Sequence, residues 1–179
     1  MSDIVYTWEE YIDLNEKLVS LVAKSGWHFD SILCLSRGGM RPGDFFSRVY
    51  DMPLAILATS SYREAKGTVQ SDLDISDCIT GVSELKGNVL LVDDMVDSGK
   101  TIREVVAHLK QRYPAITQIR VAVLWYKAHS VFVPDWYCEY FEDSPWIHQP
   151  FECYDALGTE KLIERVEAKE KAKAEAEGK

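Results

Sequence analysis

The sequence is short of the features that mark several protein classes. Its four cysteines, at positions 34, 78, 138 and 153, form no C-x-x-C pair, which argues against a zinc knuckle or a redox motif. The start, Met1-Ser2-Asp3, has neither a basic segment nor an apolar stretch, and no apolar run is long enough to span a bilayer. We therefore expect a soluble, cytoplasmic protein with no membrane partner. Cys34 lies in an apolar run and is expected to be a reduced core residue.

An excess of basic residues is also lacking. The chain has 20 Lys and Arg against 29 Asp and Glu, a formal net charge of −9. Residues 159–179 hold six acids and six bases, so the excess belongs to the rest of the chain. A nucleic-acid-binding protein usually presents a basic face. We therefore expect no nucleic-acid partner, and an anionic substrate must be received by local donors and a metal ion.

Strand patterns alternate with helix patterns along the chain. The predicted strands are 30–35, 54–58, 89–93, 119–126 and 137–141; the predicted helices are 7–24, 42–50 and 101–112. Residues 60–74 are polar and lack a helical period, so they are predicted to be a loop or hairpin. Such alternation implies parallel βαβ units, and the predicted fold is α/β: a mostly parallel twisted sheet flanked by helices.

Residues 89–101, VLLVDDMVDSGKT, carry most of the chemical information. An apolar run ends in Asp93 and Asp94, Asp97 follows, and a Gly-containing turn then opens a helix. Ligands of open α/β sheets bind at the carboxyl ends of strands, and N–H groups at a helix start attract phosphate. Paired carboxylates can accept hydrogen bonds from hydroxyls or hold a divalent cation. The segment therefore suits a sugar phosphate that carries a vicinal diol.

Two rival motifs are excluded. Gly99-Lys100-Thr101 resembles the end of a nucleoside-triphosphate loop, but that loop needs a glycine where this chain has Asp94. A carboxylate there would repel a polyphosphate. An α/β hydrolase would need a G-x-S-x-G elbow, which the sequence does not contain.

A second polar turn, Ser36-Arg37-Gly38-Gly39, directly follows a predicted strand. Its glycines permit close backbone approach to a ligand, and the guanidinium of Arg37 suits phosphate oxygens. The plainer interpretation is a tight turn whose arginine faces water. The presence of the 89–101 segment in the same chain favours the ligand-binding interpretation.

Segment 89–101 resembles the ribose-phosphate loop of type I phosphoribosyltransferases, and Ser36–Gly39 resembles the pyrophosphate loop of the bacterial xanthine-guanine and hypoxanthine members. The resemblance spans roughly residues 7–155. It implies the fold of these enzymes with a small hood, so we expect a domain at 1–158 and a charged helical or disordered tail at 159–179. The implied reaction, in purine salvage, moves the 5-phosphoribosyl group of 5-phosphoribosyl 1-pyrophosphate to N9 of guanine, xanthine or hypoxanthine.

The resemblance also assigns roles to individual residues. Asp97 would handle the proton at purine N7, although an acid there could instead only stabilise the helix start. Arg37 and Gly38 would receive pyrophosphate. Asp93 and Asp94 would hold the ribose hydroxyls directly or through Mg²⁺, the implied cofactor. The 5-phosphate would be bound by the next turn: Ser98, Gly99, Lys100 and Thr101.

A third group, residues 144–152, resembles the purine-binding segment near the carboxyl terminus of the same enzymes. There Trp146 would stack on the base, with Ile147 beside it, and Lys127 would donate to the 6-oxo group. The plainer interpretation makes Trp146 a core residue. His148 and Glu152 depart from the family pattern, so the resemblance does not choose among the three purines.

Ser60, Ser61 and Tyr62 match in position the mobile loop that closes over the reacting centre in this family. A hairpin without function is the plain alternative. The implied partners are 5-phosphoribosyl 1-pyrophosphate, a purine base and further copies of the chain, as a homodimer or homotetramer. Two other functions stay open: transfer to another acceptor, such as a pyrimidine or an amine, and a regulator that binds the ligand without catalysis.

Overall fold

The computed structural model describes residues 3–60 and 74–177, and these form an α/β fold. The strands are β1 (Ile4–Val5), β2 (Ser31–Ser36), β3 (Leu54–Ser60), β4 (Asp74–Thr80), β5 (Gly87–Val96), β6 (Ile116–Lys127), β7 (Trp136–Phe141) and β8 (Ile147–His148). The helices are α1 (Trp8–Lys24), α2 (Met40–Tyr50), α3 (Lys100–Arg112) and α4 (Gly158–Glu177), with a 3₁₀ turn at Glu152–Tyr154.

Two compact units divide the described residues. The first comprises residues 12–60 and 74–145, and the second comprises residues 3–11 and 146–177. The predicted boundary at residue 158 is a different division of the chain and stays a prediction. None of the helices in the described ranges has an apolar stretch that could cross a membrane.

The first unit contains a sheet in the order β4-β3-β2-β5-β6-β7. The pairs from β3 to β7 are all parallel, and only the β3–β4 pair is antiparallel. The predicted mostly parallel sheet is thereby confirmed. Strand β4 was not predicted, because its sequence DISDCIT lacks the continuous apolar run by which the other strands were recognised.

The central strands are apolar because both of their faces are covered. Leu33 and Leu35 of β2 belong to a buried cluster with Ile102, Val105 and Leu109 of α3, which lie three and seven residues apart on one helical face. On the opposite face, Cys34 lies against Gly43 of α2. The sheet is therefore covered by α3 on one side and by α2 on the other.

Cys34 is the core cysteine that the apolar run predicted. Its side chain is completely buried. Burial, and secondarily the negative charge of Asp93, raises the pKa of the thiol to about 12. The residue accordingly behaves as a small apolar side chain within β2.

The strand order reverses beside β2. After β2 the chain passes through α2 to β3 on one side, whereas β5 pairs with the other side of β2. Connections that leave in opposite directions open a crevice at the carboxyl ends of the two strands. The register aligns Cys34 with Val92, so the turn after Ser36 and the acids after Val92 come to the same place.

Gly39 allows that close approach. A Cβ atom at this position would collide with the carbonyl oxygen of Val92 and lie 2.9 Å from the carbonyl oxygen of Leu35. Both are backbone atoms, which cannot turn aside as a flexible side chain can. The absence of a side chain at Gly39 is therefore a condition for the β2 turn to pack against the end of β5.

Several element boundaries differ from the predictions. Strand β5 continues to Val96, so Asp93 and Asp94 lie within the strand and not beyond its end. Helix α1 begins at Trp8, where Thr7 and Glu10 form the predicted reciprocal capping hydrogen bonds. Of the predicted mobile loop, Ser61 and Tyr62 lie outside the described residues, and Ser60 is the last residue of β3.

The second unit is built around a short parallel pair that the sequence did not predict. Strand β1 pairs with β8, with Ile4 opposite Ile147 and Val5 opposite His148. In the same unit, the rings of Trp8 and Tyr11 both contact Phe151. The predicted charged tail forms α4, whose described side chains are exposed.

His148 links the two ends of this unit through both ring nitrogens. Nε2 lies 3.2 Å from Oδ2 of Asp3, and Nδ1 lies 3.3 Å from Oε2 of Glu152. The hydrogen bond with Asp3, supported by the one with Glu152, raises the pKa of His148 above its ordinary value of 6.5. The two departures from the family pattern, His148 and Glu152, therefore contact each other.

A raised histidine pKa stabilises the folded state fully below the unfolded-state value and ceases to do so as pH rises through the folded-state value. Asp3→Asn should therefore lower the melting temperature at about pH 5.5 and change it little at about pH 8.5. The control is the same change in a His148→Gln background, where the pH dependence should vanish. An equal loss at both pH values would contradict a charge contact.

Candidate active site

The two adjacent acids at the end of β5 are held by their own backbone. Asp93 Oδ1 accepts a hydrogen bond from the Asp94 N–H at 3.0 Å, and Asp94 Oδ1 accepts one from the Met95 N–H at 2.7 Å. Both residues are half-buried. These hydrogen bonds from neighbouring backbone N–H groups fix the direction of both carboxylates.

The β2 turn lies directly against these acids. A Cβ atom on Gly38 would come within 2.6 Å of Asp94 Oδ1, so only glycine lets the backbone approach so closely. Arg37, the preceding residue, is exposed. The structure thus brings the predicted pyrophosphate turn and the predicted ribose-binding acids together at the crevice between β2 and β5.

Asp93 is the member of the pair whose charged form is disfavoured in the folded protein. Removal from water, and then the negative charge of Asp94, raises the pKa of Asp93 well above its ordinary range, while the backbone N–H groups of Asp94 and Gly39 act in the opposite direction. A ligand that brings hydroxyl donors or positive charge to this pair would relieve the unfavourable charge. The pair is therefore suited to polyhydroxyl and cationic groups.

The turn between β5 and α3 has the shape of an anion site. Gly99 adopts a φ of +75°, and a Cβ atom on it would collide with Ser130 Oγ and lie 2.7 Å from the Phe132 nitrogen. The first hydrogen bond of α3 is donated by the Arg103 N–H to the Gly99 carbonyl, at 3.1 Å. The preceding amides belong to the open end of the helix, where a phosphate can be accepted.

The four predicted 5-phosphate residues all lie in this turn. Gly99 is buried, whereas Ser98 and Lys100 are exposed and Thr101 is half-buried. Ser98 also fixes the turn itself, because its carbonyl accepts from the Val131 N–H at 2.9 Å. The arrangement leaves polar side chains and amides around one short helix start.

Asp97 pairs with the last residue of β6 and with a residue of the turn that follows it. Its Oδ1 atom lies 3.3 Å from Lys127 Nζ and 3.1 Å from His129 Nε2. Lys127 is only 6% exposed, which is unusual for a lysine and consistent with a paired ammonium group. Asp97 does not begin the helix, since α3 starts at Lys100.

His129 is a neighbour of this group that the sequence did not reveal. Its Nδ1 atom lies 2.5 Å from Ser144 Oγ. The only available signal was its place two residues after Lys127 at the end of a predicted strand, and a histidine in such a position is most often a surface residue. Contacts with Asp97 and Ser144 depend on three separate turns and are not readable from spacing.

The predicted purine-binding residues of the second unit lie on and beside β8. Trp146 is 54% exposed and Ile147 is buried. The Trp146 carbonyl accepts a hydrogen bond from the Ile4 N–H at 2.9 Å, and the His148 carbonyl accepts one from the Tyr6 N–H at 3.0 Å. The exposed indole does not match the plain core interpretation of Trp146.

The acids at the end of β5 fit the Mg²⁺ that the resemblance implies. Within residues 3–60 and 74–177, no three His, Cys, Asp or Glu side chains are grouped so that they could hold a metal ion by themselves. Magnesium commonly uses one or two carboxylates and completes its shell with phosphates and water. Asp93 and Asp94 supply that number of carboxylates.

Comparison with known proteins agrees with this geometry. The family model of the phosphoribosyl transferase domain matches residues 1–156. A purine phosphoribosyltransferase from Pyrococcus horikoshii superposes with a TM-score of 0.69 at 27% identity, over 84% of this chain and 94% of that one. The xanthine-guanine-hypoxanthine phosphoribosyltransferase of Helicobacter pylori gives a TM-score of 0.70 at 24% identity, over 86% and 97%.

A third similar structure, a hypothetical protein from Neisseria gonorrhoeae with bound ppGpp, has a TM-score of 0.64 at 21% identity and covers 94% of this chain and 98% of its own. The likenesses under 25% identity establish the fold alone. The family match covers most of the chain and confirms the resemblance seen in the sequence motifs. This chain belongs to the phosphoribosyl transferase domain family.

Proposed function

We propose that this protein transfers the 5-phosphoribosyl group of 5-phosphoribosyl 1-pyrophosphate to N9 of a 6-oxopurine and releases pyrophosphate. Membership of the family supports a glycosyltransferase type of reaction. The choice of a 6-oxopurine as acceptor is argued from the side chains at the ends of β5 and β6.

The contact between Asp97 and Lys127, 3.3 Å from Oδ1 to Nζ, is the observation that carries the proposal. N7 and O6 lie next to each other on one edge of guanine or hypoxanthine. An acceptor for a proton on N7 beside a donor to O6 matches that edge. Adenine would present its 6-amino group, a donor, to the Lys127 ammonium, which is also a donor.

The other end of the site suits the sugar and its leaving group. In the proposed reaction the bond from ribose C1 to pyrophosphate breaks ahead of formation of the bond to N9, as in glycosidic chemistry. Arg37 and the Gly38 backbone receive the departing pyrophosphate, and Asp93 with Asp94 hold the ribose hydroxyls. Bound Mg²⁺, held by Asp93 or Asp94, would supply neutralising charge for the phosphates.

The base must also lose a proton. Asp97 accepts the proton from purine N7 as the new bond forms at N9, so the nucleotide leaves without the additional positive charge. A carboxylate held by Lys127 and His129 keeps one oxygen atom for these partners and presents the other to the base.

Trp146 and Ile147 are proposed to cover the base and to read its second ring substituent. Neighbouring residues of a strand point their carbonyls to opposite sides. Because the Trp146 and His148 carbonyls are used by β1, the Ile147 carbonyl points away from β1 and is the acceptor we assign to an exocyclic amine. This assignment rests on the resemblance and on the second unit alone.

A panel of free bases tests the proposed function. Adenine, hypoxanthine, xanthine, guanine, uracil and orotate are each incubated with 5-phosphoribosyl 1-pyrophosphate and Mg²⁺, and nucleotide formation is followed by chromatography. We expect product with at least one 6-oxopurine and none with adenine. Product with only uracil or orotate would assign a different acceptor.

Asp97→Asn should lower kcat by about 10²- to 10⁴-fold, because an amide cannot accept the proton. The KM for 5-phosphoribosyl 1-pyrophosphate should change by less than about threefold, since Asp97 is assigned to the base and not to the sugar phosphate. Asp13→Asn, which changes an exposed acid of α1, is the matched control. Similar losses in kcat and in sugar-phosphate affinity would contradict the assignment.

Lys127→Met should lower kcat/KM for the preferred 6-oxopurine by about 10- to 100-fold, corresponding to one charged hydrogen bond of about 1.5–3 kcal/mol. The variant should use adenine no less well than the parent protein does, so the ratio of kcat/KM between the two bases should fall sharply. Lys110→Met, at an exposed position of α3, is the control. A parallel loss for both bases would mean that Lys127 serves the fold or the sugar site instead.

A ligand-binding regulator without transferase activity is the second candidate. It is favoured by the shared fold of the Neisseria gonorrhoeae protein that was solved with ppGpp. Calorimetry with 5-phosphoribosyl 1-pyrophosphate and with ppGpp distinguishes the two: tight binding of either, with no nucleotide formed from any base in the panel, would select the regulator. Cytoplasmic location and a homo-oligomeric state stay predictions.

A further inference from the structure

His129 holds the same oxygen of Asp97 that Lys127 holds. Asp97 Oδ1 lies 3.1 Å from His129 Nε2 and 3.3 Å from Lys127 Nζ. Asp97 and His129 are both about half-exposed, whereas Lys127 is buried. Both side chains approach the same carboxylate oxygen within ion-pair distance, which restrains how the carboxylate can turn.

The imidazole is itself held in place. The backbone of His129 lies in a turn in which the Ser130 N–H donates to the Lys127 carbonyl at 3.1 Å. Just before it, the Ala128 N–H donates to the Phe141 carbonyl at 2.9 Å. Its Nδ1 atom meets Ser144 Oγ at 2.5 Å. His129 therefore reaches Asp97 from a turn that is anchored on both sides.

The neighbours of the ring favour one neutral tautomer, because the carboxylate oxygen 3.1 Å from Nε2 can only accept, whereas the Ser144 hydroxyl at Nδ1 can donate. A hydroxyl group can donate to Nδ1, and a neutral imidazole that accepts at Nδ1 carries its proton on Nε2. That proton lies on the nitrogen that is 3.1 Å from Asp97 Oδ1.

We propose that His129 is a positioning residue for Asp97, and that Ser144 sets its tautomer. This inference rests on the proposed transferase function, because the role of His129 is to aim the second oxygen of Asp97 at purine N7. When Lys127 also donates to the 6-oxo group of the base, the contact with His129 keeps the Asp97 carboxylate from turning with the Lys127 side chain.

Loss of a residue that orients a metal ligand commonly costs about 10- to 100-fold in affinity or activity, and we expect a similar range for a residue that orients Asp97. His129→Leu, which removes the donor, should lower kcat by that factor and change the KM for 5-phosphoribosyl 1-pyrophosphate by less than about threefold. His129→Gln retains an N–H close to the position of Nε2 and should recover most of the activity. His28→Leu, at an exposed histidine in another turn, is the matched control.

Ser144→Ala tests whether the Ser144 hydroxyl sets the tautomer of His129, which a purely structural contact would leave unchanged. In protein labelled with ¹⁵N-histidine, the imidazole signals of His129 should report a proton on Nε2, and Ser144→Ala should shift the resonances toward a mixture of tautomers. The same variant should lower kcat by a smaller factor than His129→Leu, because Nε2 can still donate part of the time.

The results separate this inference from the proposed function. If the parent protein forms nucleotide but His129→Leu retains kcat within about twofold, or if His129→Gln is as impaired as His129→Leu, the inference is overturned and the transferase stands. A proton found on Nδ1 also overturns it. If the parent protein forms no nucleotide from any base, the proposed function fails and the positioning role fails with it.

Discussion

The parallel pairing of β2 with β5 is the constraint on which the rest of this protein depends. It aligns Cys34 with Val92, and within one to three residues of these positions both strands present polar groups at the same edge of the sheet. Neither Gly38 nor Gly39 has room for a side chain between these strands. A slip of one residue in this register would move each of Asp93 and Asp94 to the other face of the sheet and separate them from the arginine turn.

Three carboxylates lie close together in sequence at this edge of the sheet, and their surroundings differ. Asp93 keeps a raised pKa because it has lost water and faces Asp94, so the pair is unfavourable until hydroxyl donors or a cation arrive. Asp97, by contrast, is already compensated by Lys127 and His129. Under the proposed function, the acids assigned to the sugar would gain most from a bound ligand, whereas the acid assigned to the base is already paired, an arrangement suited to catalysis.

Much of this could be predicted from the sequence because buried parallel strands are continuous apolar runs, and polar turns at their ends are conspicuous. The strand preceding Asp93, the turn at Arg37 and the helix after Gly99 were found in this way. Strand β4, whose sequence DISDCIT neither alternates nor forms an apolar run, and the two-residue pair of β1 and β8 give no such signal. His129 was missed because its role arises from the side chains of Asp97 and Ser144, which tertiary structure alone brings to it.

The pairing of β1 with β8 has a practical consequence. Backbone N–H groups of Ile4 and Tyr6 occupy the carbonyls of Trp146 and His148, so the first few residues of the chain are a working part of the strand that presents the exposed indole. A purification tag or a cleavage scar fused to the amino terminus would perturb that strand, whereas one attached after the exposed helix α4 would leave it untouched. Preparations that differ only in the end carrying the tag are therefore not equivalent reagents for measurements that depend on the β1–β8 pair.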